Sequence, residues 1–199
     1  MNPPLIYLAS ASPRRSQLLA QIDIRHEVRP VEVDESPVAG EAPTQYVLRL
    51  ARRKARTLWD RLPAPQRLPV LAADTTVALE GEILGKPADL AEARVMLMRL
   101  AGRTHEVHTA LAVLHAGGEA VRVNTSLVTF RDLSSAEIDW YWQTGEPADK
   151  AGGYAVQGRA AVFISHLAGS YSGVMGLPLF ETWELLAPLL GLNARMSRS

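Results

Sequence analysis

The sequence predicts an α/β protein built on one long, twisted, mixed sheet flanked by helices, and three observations carry that prediction. Short β-rich runs alternate with helical periodicities along the whole 199-residue chain, the pattern of a layered α/β domain. Two of those runs face each other across Gly117-Gly118, a hairpin signal that makes the sheet mixed. Apolar residues make up 47% and charged residues 21%, close to the soluble globular average, so a packed core is feasible; at this length folding buries roughly 70% of the unfolded surface.

Taken in order, residues 5–9 (Leu-Ile-Tyr-Leu-Ala) form a short apolar run and read as a buried strand. Ser12 as N-cap and Pro13 at the first helical position open a helix over 13–21, the arrangement expected of a helix start. A long helix follows over 44–62, then a strand over 70–79 that turns at Glu80-Gly81 into a second short strand over 82–84. Residues 90–100 form a helix closed by Gly102. The hairpin strands run over 107–114 and 120–130. Ser134 and Glu137 have capping-box spacing and start a helix ending near Gly145. A strand over 161–167 and a last helix over 178–190 complete the chain. Leu62-Pro63-Ala64-Pro65-Gln66-Arg67 is short enough to be an ordinary loop, so 1–199 reads as one domain.

Composition closes several doors. Lys plus Arg (21) balances Asp plus Glu (21), which argues against binding nucleic acid or anionic membrane by bulk attraction. Cysteine is absent, excluding disulfides, thiolate metal sites and cysteine nucleophiles, and suiting a reducing cytosol. The start of the chain lacks the basic residues and the longer apolar stretch of a signal peptide. No run approaches the roughly 20 apolar residues of a membrane helix.

Four places break the local rules, and such breaks tend to mark functional sites. At Ser10-Ala11-Ser12-Pro13-Arg14-Arg15 a buried strand runs into a helix N-terminus, whose free N–H groups and dipole favour an anion. Ser10 and Ser12 add hydroxyls there, and Arg14 and Arg15 add planar forks suited to phosphate; an ordinary capped helix with solvated arginines is the alternative. Lys54 lies in the apolar stripe Val47, Leu50, Ala51, Ala55, Leu58, while Arg49, Arg52, Arg53 and Arg56 occupy the wet face. Its ammonium either reaches an anion or snorkels past the core rim. Asp74 interrupts an otherwise apolar or β-branched strand; a carboxylate held there is a good general base or metal ligand, the alternative being a strand-end aspartate hydrogen-bonded to a neighbouring turn. Gly85-Lys86-Pro87 resembles a phosphate loop but fails the Walker spacing, leaving Lys86 as a phosphate-facing cation or a turn lysine. His105 and His108 point to opposite faces of one strand and cannot easily share a metal, so carboxylates remain the metal ligands, suiting Mg²⁺ or Mn²⁺. Residues 152–158 (Gly-Gly-Tyr-Ala-Val-Gln-Gly) form a glycine-bracketed, flexible loop through which Gln157 can approach a ligand.

In combination these stretches are distinctive. Residues 8–15 (Leu-Ala-Ser-Ala-Ser-Pro-Arg-Arg), Asp34-Glu35, Arg49-Leu50-Ala51 with Lys54-Ala55, Ala73-Asp74-Thr75, Gly85-Lys86-Pro87, Asp149-Lys150-Ala151-Gly152, Val156-Gln157-Gly158 and Gly176-Leu177-Pro178 occur in the order seen in the Maf family, which the chain resembles from about residue 5 to 190. The resemblance implies an inosine triphosphate pyrophosphatase-like fold with two lobes and a central cleft. It also implies hydrolysis of a nucleoside triphosphate to monophosphate and pyrophosphate. Asp74 is then similar to the family's catalytic acceptor, with Ser10, Arg14, Arg15, Glu35, Lys54, Lys86 and Gln157 as further site residues. Asp74-Thr75 with Gln157-Gly158 resembles the branch acting on dTTP and UTP rather than the sister branch preferring 7-methyl-GTP, which ties Arg14, Thr75 and Gln157 to base choice. Glu35 and Asp74 are the expected holders of a divalent cation, with Asp34 the alternative loop acid. A cytoplasmic homodimer fits the same resemblance, and a nucleotide-sensing regulator of septum formation without turnover is the competing class.

Overall fold

The computed structural model describes residues 5–64 and 67–192; residues 1–4 and 193–199, with Pro65 and Gln66 of the expected loop, lie outside them. Seven strands form one sheet in the order β2-β1-β3-β5-β6-β7, with β4 paired to β3 beyond that path. The strands are β1 (Ile6–Leu8), β2 (His26–Val28), β3 (Val70–Leu79), β4 (Glu82–Leu84), β5 (Thr104–His115), β6 (Gly118–Phe130) and β7 (Ile164–Ala168). β1 runs parallel to β2 and β3, and the other pairings are antiparallel. The sheet is therefore mixed, as expected.

The helices are α1 (Pro13–Gln21), α2 (Pro43–Arg61), α3 (Leu90–Leu100), α4 (Ser135–Trp142), α5 (Tyr171–Met175) and α6 (Leu179–Leu190). Local chemistry sets their ends. Asp89 caps α3 by accepting from the Glu92 N–H at 2.9 Å, and Ser134 with Glu137 completes the capping box of α4. Three differences from the sequence reading stand out. β2 and α5 are too short to leave a periodic signal. Residues 159–163 form a tight helical turn that takes the first three residues of the strand expected over 161–167, and the strand begins at Ile164. The hairpin strands β5 and β6 extend to 12 and 13 residues, or roughly 40 Å at the usual strand rise.

These long strands serve two packing regions. At one end, α2 lays Val47, Ala51, Ala55 and Leu58 on Ala72, Ala110 and Ala112 of one sheet face. On the opposite face α1 and α6 pack Leu18, Leu19 and Leu186 against Leu71, Ala73 and Leu111. At the far end Val77, Leu79, Val107 and Phe130 belong to a third cluster with Leu97 of α3 and Tyr141 of α4. The cleft lies where the first two clusters give way to the third. Across it β3 has an open edge, because β1 pairs with it only at Val70 and Leu71 and β4 only from Val77 onward.

The glycine-bracketed segment is pinned rather than flexible. The Gly152 N–H donates to the Gly85 carbonyl at 2.9 Å, at a φ of +70°, and a Cβ there would sit 2.8 Å from Val77 Cγ2. Gly81 has a comparable φ of +82° but open space around it. Gly152→Ala is therefore expected to cost about 3 kcal/mol, from left-handed strain plus overpacking, against about 1 kcal/mol for Gly81→Ala. Urea denaturation of the two variants checks the difference; equal costs would show that the Val77 contact does not matter.

Candidate active site

The open edge of β3 faces a cavity of about 530 Å³ lined by residues from every part of the cleft. Asp74 lines it, 7% exposed, on the sheet face covered by α2. Strand parity explains this placement. Ala72 packs under α2, so Asp74, two residues on, points to the same face, while Thr75 points to the other.

Lys54 comes down from the apolar stripe of α2 to meet Asp74. Its Nζ donates to Asp74 Oδ1 at 2.7 Å and lies 2.5 Å from Glu35 Oε1, so one ammonium joins a strand carboxylate to a loop carboxylate. Burial raises the Asp74 pKa above the ordinary aspartate value, and the Lys54 charge and hydrogen bond pull against that rise. Burial is the larger effect: Lys54 reduces the cost of ionising Asp74 without cancelling it.

Glu35 is held from below. Three side chains of α2 donate to three successive loop carbonyls: Arg53 to Asp34 at 3.2 Å, the Tyr46 hydroxyl to Glu35 at 2.9 Å and Arg49 to Ser36 at 3.1 Å. Arg49 is itself fixed by Glu41 at 2.6 Å. This clamp turns the Glu35 side chain to Lys54, whereas Asp34 accepts from its own loop, at the Ser36 N–H. Of the two candidate acids, Glu35 lines the cavity and Asp34 does not. Desolvation, with Asp74 and Glu35 adding negative charge, pushes the Tyr46 hydroxyl up to about 12, so it stays a donor.

On the other face of β3, Arg15 is mostly committed to the protein. Its Nε donates to the Gly176 carbonyl at 2.8 Å, Nη1 to Ser10 Oγ at 3.0 Å and Nη2 to Thr75 Oγ1 at 3.2 Å. Three of its five donors are engaged, leaving two for the cavity that it lines. Burial lowers the Arg15 pKa, with Asp74 opposing. Ser10 is buried behind the wall and lines no part of the cavity; it orients Arg15 and accepts from the Ser12 N–H at 3.2 Å. Ser12 occupies the N-cap of α1 as expected, although its hydroxyl makes no capping bond. The first-turn N–H groups beside Ser12, Pro13 and Arg14 thus remain available to an anion at the cavity wall.

Arg14 and Lys86 also line the cavity and have no ion-pair partner among the described residues. Gln157 is exposed and outside the lining, although its neighbour Val156 is part of it. The structure therefore brings Ser12, Arg14, Arg15, Glu35, Lys54, Asp74, Thr75 and Lys86 to one hollow and leaves Ser10 and Gln157 just outside. Sequence reasoning missed Tyr46, which sits at the edge of the Lys54 stripe, and gave Asp149, Lys150 and Tyr154 no role. Lys150 is paired with Asp149, and both line the cavity.

Among the described residues no cluster of three or more His, Asp or Glu side chains is arranged to cage a metal. Three carboxylates line the wall: Asp149 is paired with Lys150, and Glu35 and Asp74, which share Lys54, are the two that could hold a metal together. That donor set fits Mg²⁺ or Mn²⁺, which take one or two carboxylates and complete their shell with water and phosphate oxygens.

The hydroxyl chain behind Arg15 is testable. Thr109 donates to the Gly173 carbonyl at 2.8 Å, so its single hydroxyl hydrogen is committed and Thr75 must donate to Thr109 across 2.9 Å. Thr75→Val keeps the shape but orphans Arg15 Nη2 and removes the donor to Thr109, an expected loss of about 2 kcal/mol. Chemical denaturation checks it, and an unchanged midpoint would contradict the network.

Comparison with known proteins shows the family to which the chain belongs. The family model described as "Maf-like protein" matches residues 5–189. The dTTP/UTP pyrophosphatase of Nitrosomonas europaea is 52% identical over 193 residues, covering 91% of this chain and 92% of its own. That of Myxococcus xanthus is 54% identical over 182 residues, covering 92% and 91%. Among solved structures, the Staphylococcus aureus Ham1 protein overlaps 64% of this chain and 72% of its own at a TM-score of 0.44 and 17% identity. The matched family span contains every cavity residue described above, and the chain belongs to the Maf family.

Proposed function

We propose that the protein is a nucleoside triphosphate pyrophosphatase that hydrolyses dTTP and UTP to the nucleoside monophosphate and pyrophosphate. One observation carries the reading: a single strand carboxylate with a raised pKa, Asp74, lies in a cavity also lined by Arg14, Arg15, Lys54, Lys86 and Lys150. Relatives at 52% and 54% identity that bear the name dTTP/UTP pyrophosphatase support the substrate assignment.

The chemistry follows from the arrangement. A triphosphate carries several negative charges, and cleavage between the α- and β-phosphates places more on the leaving pyrophosphate. Positioning and electrostatic stabilisation therefore do most of the catalytic work. Lys86, Arg14, the two remaining donors of Arg15 and the first turn of α1 supply fixed positive potential for the phosphate tail. Asp74 takes a proton from water as the water oxygen bonds to the α-phosphorus; the bond to the bridging oxygen breaks, and pyrophosphate leaves with that electron pair. Lys54 holds the Asp74 carboxylate in place and keeps it available to accept the proton. A divalent cation held by Glu35 and Asp74, Mg²⁺ or Mn²⁺, would neutralise phosphate charge when bound. The reading includes a cytosolic setting, which suits a chain without cysteine, and a homodimer, for which the exposed Trp140 offers apolar surface.

Asp74→Asn is expected to lower kcat for dTTP by about 10²- to 10⁴-fold, while affinity for the α,β-imido analogue of dUTP stays within about threefold of wild type. Pyrophosphate release and isothermal titration calorimetry check the two halves. Near-normal release by the variant would remove Asp74 from its role. A wild-type protein that binds nucleotides without metal-dependent release would be a sensor rather than an enzyme.

A further inference from the structure

The cavity wall has two chemical characters. Cations and carboxylates gather around Asp74, whereas Val77, Ile83, Leu84, Val107, Tyr154 and Val156 form an apolar stretch continuous with the third core cluster. A flat, apolar-faced nucleobase suits the second and a polyphosphate the first. The apolar stretch includes Tyr154 and Val156, which belong to a connection with no regular strand or α-helix to hold it. What fixes this segment decides the shape of the base-facing wall.

One carboxylate behind the wall does so. Glu146 Oε1 accepts from the Tyr141 hydroxyl at 2.6 Å, and that hydroxyl accepts in turn from the Ala155 N–H at 3.2 Å. Glu146 Oε2 accepts from the Arg159 N–H at 3.0 Å. Both ends of the 155–159 turn are thus referred to a single side chain, and the turn closes on itself through Gly158 N–H to the Ala155 carbonyl at 3.0 Å. Gly158 lies against the carboxylate so closely that a Cβ would collide with it. Tyr141 is fully buried, and burial, then its bond to Glu146, raises its pKa, which favours the protonated, donating hydroxyl. The Tyr154 hydroxyl is tied separately, to His105 Nε2 at 2.8 Å.

We propose that Glu146 is a specificity-setting positioning residue: through the Tyr141 hydroxyl and the Arg159 amide it sets the position of the 155–159 turn, with the Val156 wall, and thereby which base the cavity accepts. It acts through the wall and touches no reacting atom, so its loss should alter substrate discrimination more than the chemical step. The inference rests on the pyrophosphatase reading.

Kinetics of Glu146→Ala, Glu146→Gln and Tyr141→Phe on dTTP and dGTP test it. For Glu146→Ala the ratio of kcat/KM for dTTP over dGTP should fall about tenfold, mainly through a higher KM for dTTP, with kcat within about threefold of wild type. Glu146→Gln keeps one acceptor oxygen and should fall between wild type and Glu146→Ala. Tyr141→Phe, which keeps the buried ring, should shift the ratio in the same direction. If all three variants lose thermal stability but keep the wild-type ratio, Glu146 is structural only and the proposal is overturned. The same follows if kcat falls equally on both nucleotides. Wild-type protein that hydrolyses neither would instead overturn the pyrophosphatase reading, so the two failures are distinguishable.

Discussion

The site depends on one ammonium group shared between two carboxylates. Lys54 has most of its side chain among apolar neighbours of α2, and its charge would be costly there without the Asp74 and Glu35 oxygens at 2.7 and 2.5 Å. Conversely, Lys54, with Arg15 adding to it, offsets part of the cost of charge on the buried Asp74. Each group makes the other tolerable, and the pair is fixed because α2 packs on β3 and β5 through Ala51, Ala55, Ala72 and Ala110. The small alanine side chains let the helix approach closely enough for the lysine to reach the strand.

The remainder of the fold can be read as support for that meeting point. β3 carries both faces of the site at once: Asp74 under α2, and Thr75 under α1 and α5. The gap between its pairings with β1 and β4 opens its edge to ligand just where these residues lie. The α2 clamp on the carbonyls of residues 34–36 gives a loop acid the placement normally reserved for a residue on a regular element. Arg15 performs the corresponding task on the opposite face, joining the α1 turn, β3 and the end of α5 through Ser10, Thr75 and Gly176. The catalytic cleft is therefore lined by loops whose freedom has been removed by side chains from neighbouring elements, which is what preorganised electrostatic catalysis requires.

Much of this was legible in the sequence, for identifiable reasons. Lys54 and Asp74 each violate a strong local pattern, an apolar helical stripe and an apolar strand, and such violations survive without any knowledge of the fold. The long elements were visible because their periodicity extends over many residues. β2 (His26–Val28) and α5 (Tyr171–Met175) were not, since three or five residues cannot show a period and their stability comes from neighbours. Arg15 read as a free phosphate fork because its partners Thr75 and Gly176 lie 60 and 161 residues away. The choice between Asp34 and Glu35 depended on Tyr46, Arg49 and Arg53 donating to a distant loop, a relation that only tertiary structure creates. Glu146 was invisible for the same reason.

The direct test of the central claim is the titration of the Asp74 carboxyl carbon, followed by NMR in wild-type protein and in Lys54→Met. Burial raises this pKa and Lys54 lowers it, so wild-type Asp74 should titrate above an ordinary aspartate and should rise further when the ammonium is removed, carrying the acidic limb of kcat/KM upward with it. An Asp74 that titrates at the same pH in both proteins would contradict the account.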